Sequence, residues 1–171
     1  LSLLITAFSP VNDVRKTITP ELKLSSSKAD IYVFEVTGKA RLGASCLGQV
    51  YNQIGNDNPD VESAEIFKQF LNSLIQLKNE NLIQAYHDRS DGGLITALLE
   101  MAFTVRKGLN INLTTDQIFN EAFNEEIGVL LQINEPDYSK VLEILKKSKL
   151  EKNLKKVAEI REDQKVVVNN S

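Results

Sequence analysis

Residues 87–93 read His-Asp-Arg-Ser-Asp-Gly-Gly and contain most of the side chains of this sequence that could bind a phosphate or a metal ion. A short apolar run precedes them and a helical pattern follows, so the two glycines open a helix. The first N–H groups of a helix lack partners within it and lie at the positive end of its dipole, which favours anions. Since glycine lets a phosphate approach the backbone closely, Gly92 and Gly93 are candidate phosphate contacts.

Polar side chains on the same turn could also bind a cation. Asp88 and Asp91 could bind Mg²⁺, which usually takes one or two protein carboxylates together with phosphate oxygens and water. Ser90 could donate to a phosphate or cap the helix. The alternative is ordinary turn chemistry, with His87 as a structural histidine and Asp88 paired with its neighbour Arg89. The residues alone leave both interpretations open.

Three other features carry weaker signals. The run Asn124, Glu125 and Glu126 precedes an apolar strand and could hold a metal or a ligand amine, or form a solvated acidic loop. Residues 41–45, Arg-Leu-Gly-Ala-Ser, could make a second phosphate contact or form a plain tight turn. The single cysteine, Cys46, lies in an apolar helical pattern without a local histidine, which predicts an inert buried thiol rather than a nucleophile.

Length and composition limit the classes of protein. The chain of 171 residues, 42% of them hydrophobic, predicts one domain over residues 1–171. Its formal charge of 20 − 23 = −3, without a long basic block, argues against a nucleic-acid-binding face. Its longest apolar run is too short to cross a bilayer, so we expect no membrane partner.

Two further expectations concern the setting of the chain. One cysteine permits no internal disulfide, which favours a reducing, cytoplasmic environment. The first residue is not methionine and the chain starts within an apolar run, so we expect a segment excised from a longer polypeptide.

Hydrophobic periodicity predicts an α+β fold, a mixed β-sheet with helices packed on its face or faces. Apolar alternation or continuous β-prone runs mark the strands, and apolar residues three and four apart mark the helices. The predicted strands are 3–8, 31–36, 83–86, 109–113 and 127–133, the predicted helices are 43–54, 61–81, 94–105, 115–123 and 134–145, and residues 154–160 and 165–168 are predicted to form a closing hairpin.

The sequence resembles the phosphoribosylformylglycinamidine synthase family, in its long single-chain form, over essentially its whole length. The similarity is densest at Tyr-His-Asp-Arg-Ser-Asp-Gly-Gly-Leu, residues 86–94. The other similar segments are residues 1–8, 13–15, 19–20, 42–45, 49–51, 99–103 and 123–128. Within the family, the chain resembles a C-terminal-type domain of the aminoimidazole ribonucleotide synthetase superfamily.

The resemblance implies a part of an ATP-dependent amidotransferase of de novo purine biosynthesis. The family converts formylglycinamide ribonucleotide, glutamine and ATP to formylglycinamidine ribonucleotide. The implied cofactors are Mg²⁺ and ATP or ADP, and the implied partners are small-molecule substrates and the other synthetase and glutaminase domains of the same polypeptide. Since those domains complete the site, we expect the isolated fragment to be inactive.

Site residues follow from the resemblance by motif. Asp88 is implied as a Mg²⁺ ligand and Ser90 as a nucleotide contact. The remaining implied residues are Gly92 and Gly93 at the nucleotide and, as supporting candidates, His87, Asp91 and Glu125. The family has a catalytic and a retained-nucleotide position, and we favour the latter here. The alternatives are a structural docking domain that holds a non-catalytic ADP, and a domain of aminoimidazole ribonucleotide synthetase, selenophosphate synthetase or thiamine monophosphate kinase.

Overall fold

The computed structural model describes residues 4–24, 28–114 and 116–169. These ranges form a six-stranded mixed sheet with helices on both faces, which confirms the predicted α+β class. The strands are β1 (Ala29–Glu35), β2 (Ala85–Asp88), β3 (Gly108–Ile111), β4 (Gly128–Asn134), β5 (Leu154–Arg161) and β6 (Val166–Val168). The α-helices are α1 (Cys46–Val50), α2 (Ala64–Asn79), α3 (Gly93–Val105), α4 (Ile118–Phe123) and α5 (Tyr138–Lys147). Short 3₁₀ turns occupy Val14–Lys16, Glu135–Asp137 and Glu151–Asn153.

The strand order across the sheet is β2-β4-β1-β5-β3-β6. β1 lies near the middle and pairs antiparallel with both β4 and β5. β6 pairs parallel with β3, which makes the sheet mixed. β1 is buried from Asp30 to Glu35 because it has a strand on each side and a helical layer on each face.

Alternate residues of β1 divide the interior into two cores, as the two-residue period of a strand requires. Ile31 and Val33 belong to the core beneath α3 and α4. Tyr32 and Phe34 belong to the core beneath α2 and α5, where Phe34 packs on Phe70 with ring centroids 4.6 Å apart. Burying one such large apolar side chain contributes roughly 1.5–3 kcal/mol, so the helices on both faces stabilise the sheet.

The predicted strand over residues 3–8 is wrong for residues 4–8, and Leu3 lies outside the described residues. Leu4 and Phe8 are 95% and 93% exposed. The edge strand β2 is bonded instead by a later segment, since the N–H of Tyr86 donates to the carbonyl of Thr19 at 3.0 Å. An apolar run forms a strand only where an open sheet edge is available to it.

The predicted closing hairpin is also wrong. β5 and β6 do not pair with each other, because β3 lies between them. Gly108 stands opposite Arg161 of β5, and Leu109 opposite Val166 of β6. The sequence of a short apolar strand does not specify its partner. The prediction paired β5 with β6 because they are neighbours in the chain, but in the folded protein both pair with β3.

The helix predicted over residues 43–54 is reduced to α1, which Ser45 caps by accepting the N–H of Gly48 at 3.2 Å. The preceding residues bond across the loop: the N–H of Gly43 donates to Asp57 O at 2.8 Å. Ala44 adopts φ 57°, which ends any helix before it. The apolar residues at helical spacing that suggested a longer helix, Val50, Tyr51 and Ile54, are exposed.

The other elements agree with prediction except at their ends. α2 and α3 lie within or match the predicted helices, whereas β2 begins at Ala85, two residues later than predicted. α4 begins at Ile118, later than predicted, and residue 115 is outside the described ranges. Within those ranges, no helix combines the length and the apolar character needed to cross a membrane.

Candidate functional site

The turn that follows β2 presents its side chains in two directions. Asp88, Ser90 and Asp91 are exposed, whereas Arg89 between them is buried. Asp88 and Ser90, predicted to bind Mg²⁺ and nucleotide, and the supporting candidate Asp91 therefore lie on the outer side of one turn, whereas the predicted nucleotide contact Gly93 is buried. Arg89, for which no ligand role was predicted, fixes the turn to the interior.

Arg89 is the anchor of the turn. Its Nη1 lies 3.0 Å from Glu35 Oε2, and its Nε donates to the carbonyl of Glu126 at 2.7 Å. The backbone N–H of Arg89 donates to Gly128 O at 3.0 Å. Burial lowers the pKa of Arg89, and the charge of Glu35 offsets part of this effect. The alternative in which Asp88 pairs with Arg89 is wrong, since Arg89 is bonded to the core.

Asp88 is oriented by the strand before it. The hydroxyl of Tyr86 donates to Asp88 Oδ1 at 2.6 Å, as residues two apart on one face of a strand permit. Burial, and then the hydrogen bond to Asp88, raise the pKa of Tyr86, so this hydroxyl stays a donor at neutral pH. The exposed carboxylate is thus held in one orientation, which suits a cation ligand.

His87 bridges β2 and α3. Its Nε2 lies 2.7 Å from Glu100 Oε2, and its Nδ1 lies 2.7 Å from the carbonyl oxygen of Asp88. Both ring nitrogens therefore face acceptors of the protein itself. This geometry favours the structural interpretation of His87.

Glycine is required at the start of α3 for packing as well as for conformation. Gly92 and Gly93 have φ of 84° and 74°, in the left-handed region that other residues disfavour. A Cβ on Gly93 would lie 2.6 Å from the carbonyl carbon of Phe123, so α4 closes over it. Gly93 is buried, and its N–H donates to Ser90 O at 2.9 Å.

The N-terminus of α3 does attract an anion, but that anion is the side chain of Glu125. The N–H of Gly92 donates to Glu125 Oε1 at 2.9 Å, and the N–H of Cys46 donates to the same oxygen at 2.9 Å. One carboxylate thus joins the starts of α1 and α3. Because Glu125 accepts from the Gly92 N–H, this N–H is not a free donor for an external anion.

Cys46, Asp91 and Glu125 each place one ligand atom within 4.8 Å of the others. Burial, and then the negative charge of Glu125, raise the pKa of the Cys46 thiol. The thiol is therefore protonated at neutral pH, as the inert interpretation predicted. Cys46 is half-buried, however, and not fully enclosed.

Glu126 lies in the interior and pairs with Arg41. Burial alone would raise the pKa of Glu126, but the hydrogen bonds and charge of Arg41 outweigh it and hold that pKa below its ordinary value. The hydrogen bond to Glu126 raises the pKa of Arg41. A solvated acidic loop is therefore wrong for Glu126. Residues 124–126 form a junction that brings the turn at residues 41–45 beside the turn at residues 88–93.

Sequence reasoning missed the buried charges behind the site: Glu35, Arg89 and the partnership of Arg41 with Glu126. One signal was present in residues 124–126. Three consecutive polar residues directly before an apolar central strand are partly buried, so their polar atoms need hydrogen-bond partners nearby. Nothing local indicated that Glu35, an apparent strand end, would accept from Arg89 across 54 residues.

The fold of the described residues is found in several solved structures, whose low identities show the fold alone. Thermotoga maritima PurL complexed with FGAR matches with a TM-score of 0.66 and 18% identity, over 92% of this chain and 28% of that one. The same protein complexed with ATP gives 0.64 and 16%, over 92% and 26%. A thiamine-monophosphate kinase from Stenotrophomonas maltophilia K279a gives 0.57 and 16%, over 91% and 54%.

Residues 33–169 match the family described as AIR synthase related protein, C-terminal domain, and the chain belongs to this family. The phosphoribosylformylglycinamidine synthase of Schizosaccharomyces pombe is 44% identical over 149 residues, covering 84% of this chain and 11% of that protein. That of Saccharomyces cerevisiae is 46% identical over 153 residues, covering 85% and 11%. The resemblance seen in the motifs is confirmed, and the chain spans about a ninth of the length of these relatives.

Proposed function

We propose that this domain contributes a Mg²⁺-nucleotide half-site to an ATP-dependent ligase that makes formylglycinamidine ribonucleotide in purine biosynthesis. The observation that carries the proposal is the exposure of Asp88, Ser90 and Asp91 on a turn fixed by the buried Arg89. The identity to two synthases supports the parent activity. Solved structures of PurL with ATP, ADP and AMPPCP support a nucleotide as ligand.

In this proposal each exposed residue has a distinct task. Asp88, oriented by Tyr86, is a ligand of Mg²⁺, which would supply charge neutralisation for the phosphates. Ser90 donates its hydroxyl to a phosphate oxygen. Asp91 is a supporting ligand, and Glu125 holds the turn against α1. Gly92 and Gly93 shape the turn. Contrary to the expectation from the sequence, their N–H groups are not free, because they donate to Glu125 and to Ser90 O.

The rest of the site belongs to other parts of the polypeptide. Phosphoryl chemistry of this kind depends on positioning and on stabilising phosphate charge, which half of a composite site does not achieve. We therefore propose that other synthetase domains complete the site, that a glutaminase domain supplies ammonia from glutamine, and that this chain alone has no synthase activity. A cytoplasmic location stays a prediction from the single cysteine.

The test is Asp88→Asn in the full-length polypeptide that the proposal implies, with Asp163→Asn as the matched control. Asp163 is an exposed aspartate of the turn between β5 and β6, paired with Arg161 and outside the site. A catalytic half-site predicts a large loss of turnover with thermal stability kept. The control should match the wild type. Unchanged turnover, unchanged stability and unchanged nucleotide content would together refute the role of Asp88.

A second candidate is a domain that retains ADP as a structural element. The observation that favours it is the rigidity of the turn, which Arg89 bonds to the core and Glu125 bonds to α1. In that case Asp88→Asn should release bound nucleotide and lower the melting temperature, with turnover falling only as far as folded enzyme is lost. Nucleotide content after denaturation, measured by absorbance and chromatography, separates the two.

A further inference from the structure

We infer that a small cavity on the α3 and α4 face of the sheet binds a small oxyanion, for which inorganic phosphate is the probe. The cavity measures about 80 Å³. Val33 and Leu94 form apolar wall, and polar wall is contributed by Glu35, Lys39, Arg89 and Lys155. Asp88, Ser90 and Asp91 do not line it, so this inference does not depend on their proposed roles, and the two sites share only Arg89, which fixes the turn and lines the cavity.

The charges beside Glu35 are unbalanced. Glu35 is shared by two cations: its Oε2 lies 3.0 Å from Arg89 Nη1 and its Oε1 lies 2.8 Å from Lys155 Nζ. This cluster of three carries a net charge of +1. Of the other lining charges, Lys39 is paired with Glu62, which does not line the cavity, and Glu121 is a carboxylate. An anion beside Arg89 and Lys155 would neutralise the excess charge of the cluster.

Arg89 also has hydrogen-bonding capacity that the described protein atoms do not use. Its side chain is 1% exposed, yet its Nη2 has no hydrogen-bond partner within those residues. A guanidinium carries five N–H donors, and a buried charged donor without an acceptor is unfavourable. Burial holds the pKa of Arg89 below its ordinary value, which a nearby anion would counteract. An oxyanion would give Nη2 a charged acceptor, and hydrogen bonds between two charged groups are stronger than those to a neutral acceptor such as water.

The volume and the exposure of the walls restrict the ligand further. A cavity of about 80 Å³ has room for several waters or for one small tetrahedral oxyanion. Lys155 is 50% exposed and Lys39 is 53% exposed, so the ligand can enter on the lysine side. Glu35 and Arg89, by contrast, are buried and preorganised by their own ion pair.

Equilibrium dialysis of this chain against ³²P-labelled phosphate tests the inference. We expect saturable binding of one phosphate per chain, weakened at least tenfold by Lys155→Gln and largely retained by Lys155→Arg, which keeps the charge. Lys156→Gln is the matched control, since Lys156 pairs with Asp30 and Glu159 and does not line the cavity. Circular dichroism and thermal unfolding verify that each variant is folded.

Three results would overturn the inference. One is the absence of saturable binding to the folded wild-type chain, which would mean that the cavity holds water. Another is equal loss of affinity in Lys155→Gln and Lys156→Gln, which would indicate general surface charge. The third is loss of binding in Ser90→Ala with binding kept in Lys155→Gln, which would place the phosphate at the turn after β2. That last outcome would leave the proposed nucleotide site standing.

Discussion

Arg41 and Glu126 are joined side by side in the interior, with Arg41 Nε 2.5 Å from Glu126 Oε1 and Nη2 2.8 Å from Oε2. Such a two-point contact fixes orientation as well as distance. The backbone N–H of Arg41 also donates to Oε1, at 3.4 Å, and the hydroxyl of Thr37 donates to Oε2 at 3.2 Å. The loop after β1 is thereby fastened to the start of β4, next to the residue that joins α1 to α3.

Glu126→Gln should lower the free energy of unfolding by about 3 kcal/mol, because it removes one partner of a buried ion pair. Glu62→Gln is the matched control: Glu62 contacts the same Arg41 at 3.2 Å but is 41% exposed, so its loss should cost less than about 1 kcal/mol. Urea unfolding of both variants gives the comparison. Equal losses would show that burial of Glu126 adds nothing.

The contribution of Glu126 should depend on pH. Its pKa is lower in the folded state than the ordinary value of 4.5, so the unfolded chain binds the proton more readily. The stability that it supplies is therefore fully present above pH 4.5 and is lost as the pH falls through the folded-state pKa. The difference in unfolding free energy between wild type and Glu126→Gln, measured from pH 7 to pH 3, should shrink on acidification. A constant difference would contradict this assignment.

Gly93→Ala should destabilise the chain by roughly 2–4 kcal/mol, from its positive φ together with overpacking. The added Cβ would lie 2.6 Å from Phe123 C and 2.8 Å from Asn124 O, both backbone atoms that cannot move alone. Gly38→Ala is the control, because nothing lies within 4 Å of its added Cβ, and it should change stability by less than about 0.5 kcal/mol. Thermal unfolding distinguishes them, and a small effect at Gly93 would mean that α4 relaxes away.

Alkylation of the single cysteine should be slow and should respond to its neighbour. Burial and then the charge of Glu125 raise the pKa of Cys46, so the reactive thiolate is scarce at pH 8. Glu125→Gln should increase the rate with iodoacetamide several-fold, and the pH profile should move to lower pH. Glu121→Gln is the control and should leave the rate unchanged. No acceleration in Glu125→Gln would mean that burial alone governs the thiol.

The elements that could be predicted are those whose pattern is local and long. α2, α3 and β4 follow from periodicity, because each buries one continuous apolar face or run. Residues 4–8 show the limit: their composition favours a strand, but a strand needs an open edge, and Thr19 already bonds to β2. The pairing of β6 with β3 could likewise not be predicted, because it depends on which strand edges the rest of the sheet leaves unpaired.

For the candidate site, the sequence indicated the position but not the supporting charges. Asp88 and Ser90 are exposed on the turn after β2, where phosphate or metal chemistry was expected. The use of the helix N-terminus differs from expectation, because Glu125, 33 residues away in sequence, accepts from Gly92. A carboxylate that is satisfied across the fold looks in sequence like a surface acid, since only the folded chain brings it to its donors.

The position of β5 has a consequence for how the chain is made. β5 is fifth in sequence yet lies between β1 and β3, so the sheet consists of two unconnected parts until residue 161 is available. Non-local strand pairing slows folding, because the chain loses the entropy of closing a long loop before the stabilising contacts between the strands form. During synthesis the edges of β1 and β3 therefore stay unpaired until β5 is made. Unpaired strand edges promote aggregation and chaperone binding. Shortening the chain before β5 would remove the strand that links its two halves, and not merely a terminal extension.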